Sequence, residues 1–167
     1  MSESPDVPLR VLDTSVAVKF YLNEEYYEQA RALAKRAGNA QVELVAPTTI
    51  SAEVFNALWQ KYRRGELSKE EARNLWWEFD DEVPLTLYDT QSFTHRAIDI
   101  AYETEVVIYD ALFLTLAETL DTSVITADEK TVLNRIAGTP YEHLAVHIRD
   151  AEKYLPRQTA EGEERDG

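Results

Sequence analysis

The chain alternates short apolar runs with longer amphipathic stretches, and this alternation restricts it to an α/β fold with a mostly parallel sheet. Apolar runs of four or five residues predict strands, whereas apolar residues spaced three or four apart predict helices. Strands separated by helices pair in parallel, because the helix returns the chain to the starting end of the sheet. The predicted strands cover residues 9–12, 42–46, 84–88, 123–126 and 144–148, the last at an edge.

The predicted helices are bounded by recognisable capping residues. Thr48 or Thr49 is expected to cap the helix that reaches residue 64, and a capping-box pattern begins at Ser68. Gly38 and Gly65 each follow a helical pattern, where glycine commonly terminates a helix. The other predicted helices cover residues 14–21, 24–37, 92–102 and 110–120.

Four carboxylates stand where an apolar run gives way to a helix, or just inside that helix: Asp13, Glu53, Asp110 and Asp128. In an open parallel sheet, the strand ends and the following helix starts share one edge, and ligands bind in a crevice there. Like charges raise the cost of ionising one another. Mg²⁺ takes oxygen ligands, often from one or two carboxylates together with phosphate groups. The pattern therefore predicts one acidic pocket that holds a divalent cation.

Each aspartate also has a simpler structural explanation when it is taken alone. An Asp before a helix satisfies free backbone N–H groups and favours the helix dipole, which would account for Asp13, Asp110 or Asp128. Glu53 has apolar neighbours on its helix, where an unpaired buried carboxylate would be costly. A solvated position for Glu53 remains open, because the helix also has a wet side.

Neutral polar residues accompany these acids. Ser15 follows Asp13 by two positions, Asn56 follows Glu53 by one helical turn, and Thr126 precedes Asp128 by two. Their oxygen and amide groups suit the orientation of carboxylates, and each also fits a cap or a turn. Tyr109 is interpreted as a packing residue.

Composition excludes several classes of function. The chain has no cysteine, which excludes thiol catalysis and cysteine-based zinc sites. The formal net charge of −14 is opposite to that of a basic nucleic-acid binder. No apolar run approaches the roughly 20 residues of a membrane span, and the first residues lack a signal-peptide pattern. We expect a cytoplasmic protein.

Few basic or imidazole groups stand out. Lys61, Arg63 and Arg64 cluster at the end of the Glu53 helix and are candidates for RNA contact, although cations also stabilise a helix C-terminus without any ligand. His143 and His147 are four residues apart, as in helical metal pairs. Their segment has a strand pattern, so we interpret them as surface residues.

Three segments resemble a PIN-domain ribonuclease, and in particular the VapC toxin branch: VLDTSVAVKFYLNEE, APTTISAEVFNALWQKYRRG and VVIYDALFLTLAETLDTSVITADEKTVLN. Together they lie between residues 11 and 134. The resemblance implies a three-layer PIN-like domain over residues 1–155, and it places Asp13, Glu53, Asp110 and Asp128 on the positions that hold Mg²⁺ or Mn²⁺. Ser15 and Thr126 match its supporting polar positions.

The resemblance also implies an activity and partners. The activity is hydrolysis of RNA phosphodiester bonds by metal-activated water, leaving 5′-phosphate and 3′-hydroxyl ends, with Asp13 and Asp110 as the foremost ligands. The partners are an RNA substrate, an inhibitory antitoxin and a second copy of the chain in a homodimer. Aromatic residues that would contribute to such interfaces are Phe20, Tyr21, Tyr26, Tyr27, Trp59, Trp76 and Trp77.

Other folds that place an Asp after a first strand fit less well. Haloacid-dehalogenase phosphatases require a second Asp where this chain has Ser15, and adhesion-type metal sites require a Ser where it has Ala17. A phosphorylation receiver needs an acidic pair that is absent before Asp13. A non-catalytic or housekeeping PIN-fold interaction module is the alternative of a different class. The acidic segment 156–167 lacks aromatic residues, and we expect it to be disordered.

Overall fold

The computed structural model describes residues 6–155, and these form a five-stranded sheet in which every neighbouring pair of strands is parallel. The order across the sheet is β3-β2-β1-β4-β5. The strands are β1 (Leu9–Leu12), β2 (Glu43–Pro47), β3 (Leu85–Tyr88), β4 (Val124–Thr126) and β5 (Ala145–His147). The α/β class and the parallel sheet flanked by helices are thereby confirmed, as is the edge position of β5. The segment 156–167 lies outside the described residues.

Helices connect the strands. They are α1 (Thr14–Ala17), α2 (Tyr27–Gly38), α3 (Ile50–Arg63), α4 (Lys69–Glu82), α5 (Thr94–Thr104), α6 (Ile108–Thr119) and α7 (Asn134–Ile136). A 3₁₀ turn, Val18–Phe20, extends α1, and a π turn, Glu129–Leu133, precedes α7. The described residues contain no helix long and apolar enough to cross a membrane.

Helix α6 is the central helix of the domain. All seven residues from Ala111 to Ala117 are buried, as expected of a helix that is covered on every side. It packs against β1, β2 and β4 and against α5. Its first turn, which contains Asp110, is therefore held in a fixed position relative to the sheet.

The sheet order reverses direction at β1. The chain runs from β1 to β2 on one side, and β4 pairs with the other side of β1. In an open parallel sheet this reversal opens a crevice at the carboxyl ends of the two strands. Asp13 directly follows β1, and Asp128 follows β4 by two residues. The topology thus brings two of the four acids to one crevice.

Both boundaries of α2 differ from the sequence prediction. Gly38 is the last residue of α2 and does not terminate it; Ala40 takes the left-handed conformation, with φ 54°. The N–H of Ala40 donates to Ala37 (3.0 Å) and the N–H of Gln41 donates to Arg36 (2.8 Å), which is the Schellman pattern. The helix also begins at residue 27, not 24.

Capping residues elsewhere follow the prediction more closely. Gly65, with φ 73°, terminates α3. Ser68 and Glu71 form both hydrogen bonds of a capping box at the start of α4. Thr49 occupies the N-cap position of α3, but its side chain makes no capping hydrogen bond.

Candidate active site

The carboxylate of Asp13 is nearly inaccessible to solvent, with 6% of the residue exposed. Its backbone occupies the N-cap position of α1, where its carbonyl accepts hydrogen bonds from the N–H groups of Val16 and Ala17. The side chain makes no capping hydrogen bond. Helix capping therefore does not explain this carboxylate.

Two hydroxyl groups hold Asp13 in place. Thr126 donates to Oδ2 of Asp13 at 2.7 Å, and Ser15 donates to the same oxygen at 2.5 Å. Each hydroxyl in turn accepts a backbone N–H, from Asp128 onto Thr126 (3.0 Å) and from Ala127 onto Ser15 (2.9 Å). Each hydroxyl has only one proton, and both Ser15 and Thr126 give that proton to Oδ2 of Asp13. Oδ1 accepts no side-chain hydrogen bond from the described residues, and the backbone N–H of Ser15 is a further donor that lowers the pKa of Asp13.

Glu53 lies in the first turn of α3 beside the same site. The hydroxyl of Thr14, the residue after Asp13, donates to its Oε2 at 3.1 Å. Its other oxygen, Oε1, is buried without an aligned hydrogen-bond partner among the described residues. Burial raises the pKa of Glu53, and the charge of Asp13 adds to this effect, whereas the hydroxyls of Thr49 and Thr14 act in the opposite direction. An unpaired buried carboxylate oxygen is costly unless a proton or a cation meets it.

Asp110 shows that the four acids belong to one electrostatic site. Its pKa is raised to about 7, mainly by burial and then by the charges of Asp13, Asp128 and Glu53, in that order of importance. Burial likewise raises the pKa of Asp13 against the lowering effect of its two hydroxyl donors, and Asp128 adds to the increase. The acids therefore oppose one another's ionisation, which is what a shared cation would relieve.

Asp128 differs from Asp13 in how its carboxylate is used. It caps the π turn, since its Oδ1 accepts the backbone N–H of Thr131 (2.9 Å) and its Oδ2 accepts the hydroxyl of Thr131 (2.5 Å). The capping explanation is thus right for Asp128. Each oxygen has a further lone pair, so capping leaves room for a contact with a cation or its water.

The acids do not form a closed cage. Within residues 6–155, no group of three or more Asp, Glu or His side chains already surrounds a position for one metal ion. Mg²⁺ keeps several waters and needs only one or two protein carboxylates. An open acidic pocket fits that cation better than it fits Ca²⁺, which takes six to eight oxygen ligands.

Two grooves flank Asp13. The first, here called the Glu53 groove, has a volume of about 610 Å³ and is lined by Thr14, Thr49, Ala52, Glu53, Asn56, Ala57 and Tyr109. The second, the Asp128 groove, measures about 460 Å³ and is lined by Ser15, Val18, Lys19, Glu24, Ala127, Asp128, Glu129, Lys130 and Thr131. Thr14 faces one groove and Ser15 the other, so the buried aspartate lies between them.

The basic residues predicted to contact RNA lie elsewhere. Lys61 forms ion pairs with Glu24 (2.7 Å) and Glu66 (2.8 Å), and Arg64 pairs with Glu66 (2.6 Å). Eight residues of helix separate Lys61 from Glu53, a distance of about 12 Å along the axis. The structure does not bring this cluster to the acids, and its role in RNA contact stays a prediction.

Lys19 and Lys130 line the Asp128 groove, and the sequence analysis missed both. Lys19 pairs with Glu24 at 3.2 Å, whereas no ion pair of Lys130 occurs in the described part of the chain. Lys19 lies four residues after Ser15, a spacing that places two helical residues on one face. This spacing was the feature of the sequence that could have predicted Lys19 as a residue near the site. The signal for Lys130 was its position two residues after Asp128.

The structure places Tyr109 and His147 differently from the prediction, and it places Asn56 near Glu53 without the predicted contact. Tyr109 is 58% exposed and is not a packing residue. Asn56 lines the Glu53 groove without a hydrogen bond to Glu53. His147 is buried, not a surface residue: its Nδ1 accepts the N–H of Arg149 at 3.1 Å, and its ring meets Tyr26 edge-on at 4.8 Å.

Comparisons with known proteins give a matching family model, one relative by sequence and solved structures of similar fold. The PIN domain family model matches residues 10–138. Ribonuclease VapC3 of Pyrobaculum aerophilum is 32% identical over 123 residues, which make up 72% of this chain and 89% of that protein. A crystal structure of a Pyrobaculum aerophilum protein has a TM-score of 0.64 at 18% identity, covering 91% of this chain and 98% of the other. A toxin–antitoxin complex from Klebsiella pneumoniae has a TM-score of 0.57 at 13% identity, with coverage of 83% and 97%.

The raised pKa of Asp110 predicts a pH-dependent effect of the variant Asp110→Asn on the metal-free protein. The folded protein retains a proton up to about pH 7, whereas the ordinary value is 3.8, so native stability falls as the pH rises between these values. Asparagine removes this penalty. The gain in unfolding free energy over the unsubstituted protein should be near zero below about pH 4 and largest above pH 7.

Urea unfolding in the presence of a chelator measures this gain at each pH. The matched control is Asp99→Asn, which changes an exposed aspartate on α5 and should produce no such pH-dependent gain. A gain for Asp110→Asn that is flat with pH, or that shrinks as the pH rises, would contradict the electrostatic description of the site.

Proposed function

We propose a function from one premise: the chain belongs to the PIN domain family. From this premise we infer that it is an endoribonuclease that depends on Mg²⁺ or Mn²⁺. The observation that carries the proposal is the mutual coupling of four acids around a buried aspartate. A surface cluster of carboxylates would be solvated, whereas this one is assembled from four separate segments at the switch point of the sheet.

The residues present fit a divalent cation. The donor set consists of oxygen atoms, Oε1 of Glu53 is buried without an aligned hydrogen-bond partner among the described residues, and Oδ1 of Asp13 accepts no hydrogen bond from a side chain of residues 6–155. Asp13 and Asp110 would hold the ion, with Glu53 and Asp128 as further ligands or as acceptors for its waters. A hard cation prefers such oxygen ligands.

When bound, the cation would supply positive charge to the phosphoryl oxygens and lower the pKa of the attacking water. The residues of the chain prepare for this. Ser15 and Thr126 fix the carboxylate of Asp13 through Oδ2, and Thr14 fixes Glu53 relative to α1. Asp110 holds a proton in the metal-free protein near neutral pH and must release it before it can bind an ion.

The proposed reaction is hydrolysis of an RNA phosphodiester bond. Water adds its hydroxyl to phosphorus, the bond from phosphorus to the 3′ oxygen breaks, and the second proton of the water passes to that oxygen. The products carry a 5′-phosphate and a 3′-hydroxyl. Ribonuclease VapC3 is the relative whose name supports RNA as the substrate, and the cytoplasm is the proposed place of action.

One cation of the Asp128 groove, Lys130, forms no ion pair within residues 6–155 and supports RNA binding despite the net charge of −14. The chain has six lysines, and two of them, Lys19 and Lys130, line this groove. The ammonium group of Lys130 beside the acids would meet a backbone phosphate on one side of the cleavage position. Bound cations would screen the acids themselves, so binding should depend strongly on the concentration of divalent ions.

The proposed biological role is that of a toxin inhibited by an antitoxin protein, with a homodimer as the core assembly. The resemblance to VapC proteins and the likeness to a toxin–antitoxin complex support it. An arginine or lysine from an antitoxin could pair with the acidic pocket and compete with the cation. The most exposed aromatic residues on α3 and α4 that would suit such interfaces are Phe55, Trp59, Tyr62 and Trp77.

Each of the variants Asp13→Asn, Glu53→Gln, Asp110→Asn and Asp128→Asn should reduce RNA cleavage by about 100-fold or more, because each removes a charge needed to hold the cation. Thr126→Val keeps the ligands but removes one donor to Asp13, and a loss of about 10- to 100-fold is expected. The measurement is the initial rate on a single-stranded RNA with Mg²⁺ or Mn²⁺, with circular dichroism to verify folding.

Asp99→Asn is the matched control and should retain the wild-type rate. If two or more of the four acid variants retain wild-type cleavage, the shared site is wrong. If the unsubstituted protein folds and binds a cation without cleaving any RNA, the non-catalytic interaction module is favoured instead.

Expression of this chain alone should slow the growth of a host cell, since uncontrolled RNA cleavage stops translation. Asp110→Asn, or co-expression of the cognate antitoxin, should restore growth. Light scattering of the purified protein should give twice the mass of one chain. Harmless expression of the folded, cleaving protein together with a monomeric mass would contradict both the toxin role and the dimer.

A further inference from the structure

Resting on the proposed function, we propose that the Glu53 groove is a base-binding subsite in which the ring of Tyr109 stacks on an unpaired RNA base beside the cleaved phosphate. The two grooves beside Asp13 differ in chemistry, and this difference decides which part of a nucleotide each one takes. Tyr109 is a positioning residue in this proposal and takes no part in bond breaking.

Tyr109 is placed and exposed as a stacking residue would be. It lies in the first turn of α6, directly before Asp110, and 58% of it is exposed although it lines the groove beside Glu53. Within residues 6–155 its ring has no aromatic partner and its hydroxyl makes no hydrogen bond. Exposed aromatic rings on which bases stack are a general device of proteins that bind single-stranded nucleic acid.

The wall that α3 contributes to this groove also suits a base. Ala52 and Ala57 present methyl groups, and Asn56 presents an exposed amide between them along the helix. A flat base between an aromatic ring and methyl groups is removed from water on both faces. The amide of Asn56 can donate and accept hydrogen bonds with a base edge.

The charged residues that line the two grooves distinguish their ligands. No cationic residue lines the Glu53 groove, and its one charged residue is the acid Glu53. The Asp128 groove has three acids, Glu24, Asp128 and Glu129, and two lysines, of which Lys19 pairs with Glu24. Lys130 forms no ion pair within residues 6–155 and is the cation that this groove offers to a backbone phosphate. The backbone therefore passes on the side of Asp128, and a base enters on the side of Glu53.

This arrangement limits the RNA that the protein can cut. A base held by Tyr109 must leave its neighbours in the strand, so the preferred substrates are unpaired loops and ends. Contacts of Asn56 with the base edge would produce a preference at one nucleotide beside the cleavage position.

A second copy of the chain is the competing occupant. Val107, Ile108 and Tyr102 are also exposed, and Ile108 and Tyr102 line an adjoining groove with Ile98 and Ala101. A dimer interface that extended over this surface would cover Tyr109. The experiment must therefore measure oligomeric mass as well as cleavage.

The test compares Tyr109→Ala, Tyr109→Phe and Tyr102→Ala on a short single-stranded RNA with a mapped cleavage position. Tyr102, 85% exposed on α5, is the matched control because it does not line the Glu53 groove. Loss of one base–aromatic stack lowers kcat/KM by roughly 5- to 150-fold. We expect a loss in that range for Tyr109→Ala, near-wild-type cleavage for Tyr109→Phe and Tyr102→Ala, and unchanged mass and melting temperature in all three.

A substrate with one abasic nucleotide beside the cleavage position identifies the stacked base. When the abasic nucleotide takes the place of the stacked base, kcat/KM of the wild-type protein should fall by the same factor by which Tyr109→Ala falls on the intact RNA. Tyr109→Ala acting on this abasic substrate should show no further fall in kcat/KM. If the effects of the abasic nucleotide and of Tyr109→Ala on kcat/KM multiplied at every position tested, the proposal would be overturned. So would a loss of cleavage by both Tyr109→Ala and Tyr102→Ala with a halved mass, which would assign the surface to the dimer. Absence of cleavage by the wild-type protein would instead overturn the proposed function.

Discussion

The burial of the Asp13 carboxylate is the constraint on which the rest of the site depends. A charge taken out of water must be matched by hydrogen bonds or by an opposite charge. Here Ser15 and Thr126 supply two hydroxyl donors to Oδ2, and the backbone of residues 127 and 128 orients those hydroxyls. These bonds join the end of β1 to the turn after β4, so the same contacts that satisfy the acid also fix the two strands at the switch point.

The hydroxyls of Ser15 and Thr126 both donate to Oδ2 of Asp13. The charge of Asp128 makes the Asp13 carboxyl group harder to ionise. Asp110 keeps its proton up to about pH 7, and Glu53 has a buried oxygen without a partner among the described residues. A fold that holds such a site rigidly, at the start of helix α6 whose residues Ala111 to Ala117 are buried, stores electrostatic repulsion that a cation would release. The account assigns the two flanking grooves to opposite parts of one ligand, the phosphate to the lysine side and the base to the tyrosine side.

The strand-end positions of Asp13 and Asp128 were predictable because they follow from topology, and a cation site shared by the four acids stays a prediction. Asp13 and Asp128 follow strands that the sheet order makes neighbours, and Asp110 begins a helix whose apolar residues span its whole circumference. How each carboxylate is used was not predictable, because Asp13 and Asp128 both precede helical turns and only the tertiary placement of Thr126 and Thr131 distinguishes them.

Contacts between distant segments set the surroundings of Lys61 and His147. Lys61 is neutralised because Glu24 reaches it from the loop before α2, and His147 is buried because Tyr26, in a left-handed conformation, packs on its ring. Tyr109 lies in the first turn of α6, which begins at Ile108, two residues earlier than predicted, and its exposed side chain lines the Glu53 groove. Ala40 is the left-handed residue after α2 in place of the expected Gly38, since the Schellman hydrogen bonds are made two residues later.

The most direct measurement of the central claim is the melting temperature of the protein during titration with Mn²⁺ or Mg²⁺, for the wild type, Asp13→Asn and the exposed control Asp99→Asn. A cation bound only by the folded site stabilises it by about 2.7 kcal/mol at a hundredfold excess over its dissociation constant, which corresponds to a rise of roughly 5 to 11 °C for a domain of this size. The account predicts that rise for the wild type and for Asp99→Asn, and its loss in Asp13→Asn. Equal rises in all three proteins would show that the cation binds the acidic surface without a specific site and would contradict the account.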